Sequence, residues 1–188
     1  MAQSTGNKSF ADRVQWDTRL GPWLKTLVIA AIVFLVALYI VAPQMAARQA
    51  NHLPNSYLSM PTGMVELTTV DGTSALLPLR VANTSANRSA GFKGVGEDAI
   101  DNQFLMYVLT RPTTSRASYS VEGIRAPVEY AAIDPDGNVV ATHVASLGAT
   151  RLSIPEPHRW LLAAEGGTLE RFGIGVGATV DPESIQTF

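Results

Sequence analysis

The chain has 188 residues, 46% of them apolar, a formal net charge of −2 and no cysteine, which excludes thiolate metal sites, thiol nucleophiles and disulfide exchange. Charge is divided unevenly: residues 1–25 carry four bases and two acids, whereas residues 49–188 carry nine bases against fourteen acids, a net of −5. An acidic C-terminal part without a basic cluster argues against nucleic acid as a partner.

The chain opens on a tail, residues 1–25, in which Phe10, Val14, Trp16, Leu20, Trp23 and Leu24 alternate with charges, and Gly21-Pro22 interrupts any helix at its end. Two readings fit it. The tail lies along lipid headgroups, or Trp16 and Trp23 dock it against a neighbouring membrane subunit.

Residues 26–47 form the dominant feature, twenty-two positions without a charge. As a helix this stretch covers about 33 Å, against roughly 30 Å for the hydrocarbon core of a bilayer. A core helix of a soluble domain would carry a polar stripe, and this segment is apolar on every face. A cleaved signal peptide would have an apolar run of about 7–15 residues before a small-x-small site. Small residues do follow here, in APQMAARQA, but the run is longer, so the sequence predicts an uncleaved transmembrane anchor. Lys8, Arg13, Arg19 and Lys25 precede it and Arg48 is the only base close behind. The positive-inside bias therefore predicts a cytoplasmic N-terminus and a C-terminal domain on the outer, periplasmic face of a bacterial cytoplasmic membrane. Within the span, Ala30 and Ala37 are seven apart and fall near one face, where small side chains let a second helix approach closely.

Residues 48–62 read as a stalk, polar to mixed, with an isolated His52. From 63 to 188 the period becomes that of strands. MVELTTV, then Asp71-Gly72, then SALLPLRVA predict a hairpin, with Pro78 marking an edge or a bulge. Asn83 or Thr84 is placed to cap a short helix that Gly91 ends. Strands are expected over FLMYVLT, RASYSVEG, APVEYAAI and NVVATHVA, with Asp134-Pro135-Asp136-Gly137 as the turn between the last two. Further core comes from Leu152, Ile154 and Trp160-Leu161-Leu162, followed by a short helix at LERFG and a final strand at IGVGATV. The predicted fold is one transmembrane helix plus a small, mainly β, barrel-like α+β domain with one or two short helices.

Little in that domain points to chemistry. It has no G-x-S-x-G, H-E-x-x-H or phosphate loop. Glu97, Asp98 and Asp101 lack the alternating oxygen-ligand pattern of a calcium loop, and His143 and His158 lie too far apart for a local zinc motif. Glu122 and Glu129 are the one candidate carboxylate pair, if they approach across strands, and stand as weak ligand-site candidates. No catalytic residue, metal ligand or cofactor is expected.

The order of elements from residue 79 to residue 180 resembles the bacterial and archaeal family called domain of unknown function 192. Ala82, Asn83, Thr84, Arg88, Gly91 and Phe92 fall on its opening A-D-T-x-x-x-R-x-x-G-L-M phrase. Ser120, Val121, Glu122, Gly123 and Ile124, then Pro127, Val128, Glu129, Ile133, Asp134, Gly137 and Val139, fall on its central W-M-K-N-T-x-x-P-L-D and I-D-x-x-G-x-V phrases. Leu161, Leu162, Ala163, Gly173, Ile174, Gly177, Ala178 and Val180 fall on its last. The resemblance implies a small, largely β fold, here fused to a membrane anchor, and carries no settled activity. Where the family has Trp, Lys, Asn and Glu, this chain has Ser120, Glu122, Gly123 and Ala163, so a polar site built on those positions would be lost while the turn residues that keep the fold remain.

The resulting expectation is a non-catalytic accessory or stabilising subunit whose partners are the lipid bilayer and a larger integral-membrane complex, respiratory or photosynthetic. The alternatives are a tethered small-ligand-binding domain and an uncharacterised enzyme.

Overall fold

A computed structural model describes residues 22–187. The chain divides into two units between Ala46 and Ala47.

Helix α1 spans Pro22–Ala50. Pro22 opens it, where a missing N–H costs nothing. Pro43 lies inside it and leaves the Tyr39 carbonyl without its usual i+4 donor, a break that membrane helices tolerate. Thr26–Tyr39 is exposed on every side, with Leu27, Ile29, Val33, Phe34 and Leu35 each about half or more accessible. This helix is long and apolar enough to cross a membrane. It begins before residue 26 and continues past residue 47. The stretch read as a stalk is largely structured: α2 (Asn55–Leu58) follows, and Tyr57 and Met60 belong to the core of the second unit.

Among the described residues that second unit is built on nine strands: β1 (Thr62–Thr68), β2 (Ser74–Ala82), β3 (Leu105–Val108), β4 (Ala117–Ser120), β5 (Val128–Ile133), β6 (Val139–Ala145), β7 (Arg151–Ile154), β8 (Trp160–Glu165) and β9 (Thr179–Thr187). Seven form one sheet in the order β6-β5-β8-β3-β2-β1-β9, and β4 and β7 make a separate antiparallel ribbon. All pairings in the large sheet are antiparallel except β2 with β3. Its two ends meet: Asn138 bridges Thr179, Val139 N–H donates to the Ala178 carbonyl at 2.9 Å, and Val180 N–H to the Gly137 carbonyl at 2.8 Å. The sheet is therefore curled and nearly closed, which protects most of its edge.

Two apolar clusters follow from this curl. One takes residues from every strand of the large sheet, among them Val65, Leu79, Met106, Ile133, Leu162 and Val180, and fills the interior. The other gathers Tyr57, Phe92, Ile100, Leu105, Tyr107 and Leu161 on the outer face, beneath α2, α3 (Ser85–Ala90), the 92–104 loop and the β4–β7 ribbon. Strands β3, β5 and β8 are covered on both faces, which is why they read as continuous apolar runs and not as alternation.

The hairpin at Asp71-Gly72 forms in the expected register. Pro78 sits opposite Met64 with no bulge, and pairing with β3 begins only at Arg80, so its missing donor faces a locally free edge. Thr84 caps α3, its Oγ1 accepting from Asn87 N–H at 3.1 Å. The last strand differs from expectation. Residues 174–178 form a turn after α4 (Thr168–Arg171), and the strand itself is β9, because positive φ at Gly173 and Gly177 bends the chain there.

Candidate functional site

Helix α3 presents Ser85, Arg88 and Ser89 at i, i+3 and i+4, on one face. Opposite lie Tyr107 of β3, Ser118, Tyr119 and Ser120 of β4, Tyr130 of β5 and Leu161 of β8. Together with Leu109 they line a partly open cavity of about 270 Å³. The guanidinium of Arg88 is fixed by the main chain, since Nη1 donates to the carbonyls of Asn83 at 2.7 Å and Val108 at 3.0 Å. Among the described residues no carboxylate pairs with it.

The tyrosines form the cavity's aromatic wall. Tyr107 and Tyr130 approach with ring centroids 6.2 Å apart. Burial, reinforced by the neighbouring Tyr130, holds the Tyr107 phenol well above its ordinary range, and burial pushes Tyr130 and Tyr119 up to about 12. All three keep their protons at neutral pH.

Tyr119 rests on His158, a fully buried side chain in the loop before β8. Its Nδ1 lies 2.7 Å from the Glu156 carbonyl, which can only accept, so Nδ1 carries the proton and Nε2 accepts from the Tyr119 hydroxyl. Thr113 closes the arrangement: its Oγ1 accepts from His158 N–H at 2.9 Å and donates to the His158 carbonyl at 3.1 Å. Burial lowers the His158 pKa, and the imidazole is neutral at pH 7.

The residues singled out from sequence fall in different places. Trp16 lies outside the described residues; Trp23 falls in the first turn of α1, and Ala30 and Ala37 are exposed along it. Glu122 is exposed in the turn after β4. Glu129, on β5, sits across from Val144 and Ala164 and not from Glu122. Its Oε2 accepts from Leu169 N–H at 3.1 Å, at the start of α4, and it lines a second hollow of about 370 Å³ with Thr142, Val144 and Glu170. The two glutamates therefore form no cross-strand pair. In the acidic loop, Asp101 reaches Arg171 at 3.4 Å, and the amides of Asp98 and Ala99 donate to the Ala50 carbonyl at 3.0 and 3.2 Å. Among the described residues no group of three or more His, Asp or Glu is arranged to hold a metal ion.

The fold does bring together residues from three separate sequence phrases, Arg88, Ser120 and Leu161, around the smaller cavity. Ala163 is buried between Leu105 and Tyr130. Sequence reasoning missed Tyr107, Tyr119, Tyr130 and His158. The Ser-Tyr-Ser run at 118–120 was a signal for a hydroxyl-rich strand, but nothing local marks His158 as buried.

No family model and no curated protein matches the chain. Among the solved structures to which it is similar are two bacterial proteins. One, from Sinorhizobium meliloti 1021, is described as "a putative transcription regulator"; it shares 18% identity, covers 65% of this chain and 95% of its own, and superposes with a TM-score of 0.58. The other, described as a protein of unknown function from Novosphingobium aromaticivorans DSM 12444, shares 19% identity, covers 69% of this chain and 98% of its own, and gives 0.54. At these identities the likeness shows a shared fold alone.

Proposed function

We propose that the protein is a non-catalytic accessory subunit of an integral-membrane complex, respiratory or photosynthetic, in the bacterial cytoplasmic membrane. The observation that carries this reading is α1, exposed and apolar around its circumference and continuous in chain with a small β domain. Its N-terminus is cytoplasmic and the β domain lies on the outer face, an orientation supported by the bases that precede residue 26. Glu129 is engaged with the α4 amide and Glu122 stands apart, which supports a role without acid–base chemistry. Convergence of three sequence phrases on one cavity supports kinship of the β domain with the domain of unknown function 192 family.

Protease added to spheroplasts tests the topology. Digestion of residues beyond 50, leaving a protected N-terminal fragment, is expected; protection of the β domain would overturn the outer-face role.

A further inference from the structure

We propose that the cavity between α3 and β4 is a binding site for a small organic monoanion, a carboxylate on a flat, compact body, with Arg88 as its charge partner. This inference does not depend on the membrane reading.

The volume sets the size. About 270 Å³ corresponds to roughly nine waters at their liquid volume, and so to a ligand of about ten heavy atoms. The lining sets the charge. Arg88 is half-buried, and among the described residues it is the cavity's only ionised side chain, no acid lines the space and none pairs with the guanidinium. A cation so placed is matched by one negative charge, and an oxyanion gives it charge-assisted hydrogen bonds. The guanidinium is also held in advance. Two main-chain carbonyls fix Nη1, leaving the rest of the planar fork to reach an incoming oxyanion with little orientation left to lose.

The hydroxyls supply the remaining polar contacts. Ser85 and Ser89 share the face of α3 that carries Arg88, while Ser118 and Ser120 face solvent on the side of β4 away from Tyr119 and border the cavity at its rim. The Tyr119 hydroxyl spends its hydrogen-bond donation on His158, so Tyr119 contributes its ring to the cavity and not a donor. With Leu109, Leu161 and the rings of Tyr107 and Tyr130, that ring makes a flat apolar wall, which selects for an aromatic or similarly flat body.

The test is a titration of the full-length chain in neutral-detergent micelles, followed through the side-chain Nε–H resonance of Arg88, which is identified by its loss in Arg88→Lys. The probes are benzoate, phenyl phosphate and the neutral benzyl alcohol. Benzoate should shift the resonance saturably, and benzyl alcohol should bind about ten-fold or more weakly. Tighter binding of phenyl phosphate, largely a dianion at neutral pH, than of benzoate would overturn the assignment to a carboxylate monoanion. Ser120→Trp crowds the rim of the cavity from an exposed strand position and should weaken binding about ten-fold or more with the melting temperature nearly unchanged. Arg88→Gln should weaken binding about ten-fold or more. Because Arg88 also ties Asn83 and Val108, an unfolded Arg88→Gln leaves the wild-type and Ser120→Trp titrations to decide. The proposal is overturned if neither anion gives a saturable shift up to about 10 mM, if benzyl alcohol binds as well as benzoate, or if Ser120→Trp binds like the wild type.

Discussion

The hydroxyl of Tyr119, on a two-stranded ribbon, donates to Nε2 of His158, which has no exposed surface. That bond fastens the ribbon to the loop before β8, and it holds only while the imidazole is neutral, since a protonated Nε2 cannot accept; the Thr113 contacts to the His158 main chain do not depend on the ring.

The pH dependence follows from the sign of the shift. The folded-state pKa of His158 lies below its ordinary 6.5 because burial disfavours the cation. Below 6.5 the unfolded chain binds a proton that the folded chain resists, so stability is full above that pH and falls as the pH drops toward the folded value. Glu156, held low mainly by its bond to His143, adds a loss only below 4.5, the ordinary value. The melting temperature should fall between about pH 7 and pH 5, and this component should vanish in His158→Phe. That variant should also lose about 1–3 kcal/mol, because the Tyr119 hydroxyl is left without its acceptor. Equal slopes in the two proteins would remove His158 from the account.

Two glycine substitutions separate close packing from backbone strain. A Cβ on Gly96 would lie 2.0 Å from the Ala50 carbonyl oxygen, a main-chain atom with nowhere to go. Gly148 has φ +82° and open space around it. Urea unfolding should show Gly96→Ala costing about 2–3 kcal/mol or more and Gly148→Ala about 1 kcal/mol, the left-handed backbone term alone. A Gly96→Ala protein as stable as the wild type would mean that the 96–99 loop does not seat on Ala50.

Much of the fold was legible because local signals and tertiary contacts agree. The Asp71-Gly72 hairpin, the Thr84 cap and the Asp134 turn are written in adjacent residues, and the Asp134 carboxylate accepts from the Asn138 amide at 2.8 Å as such a turn requires. What failed depends on distant partners. Residues 174–180 alternate like a strand, yet the turn at Gly177 is set by closure against Val139. Tyr57 and Met60 read as stalk because their cover, Phe92 and its neighbours, lies more than thirty positions on. The carboxylates at 122 and 129 drew attention as titratable groups, but the cavity is made of hydroxyls, rings and one arginine from five elements, and no short window holds that pattern.

The span offers a prediction of its own. Ala30 and Ala37 are exposed along α1, and in lipid a helix contact depends on shape and not on hydrophobicity. Replacing both by Leu should leave the chain inserted and the β domain folded, while overpacking of about 1–3 kcal/mol weakens partner association about ten-fold. Quantitative co-purification measures this, and unchanged association would move the contact to another part of the chain.

The central claim, that this is an anchored subunit of a larger membrane assembly, is tested most directly by the mass and composition of the particle that contains it after mild-detergent extraction of the native membrane. The chain should migrate in a single larger complex, at fixed stoichiometry with multi-span subunits, and exchanging residues 26–47 for an unrelated apolar helix of equal length should release it. Migration of the intact native chain at the mass of one copy in its micelle, with no integral-membrane subunit in stoichiometric amount, would contradict the claim.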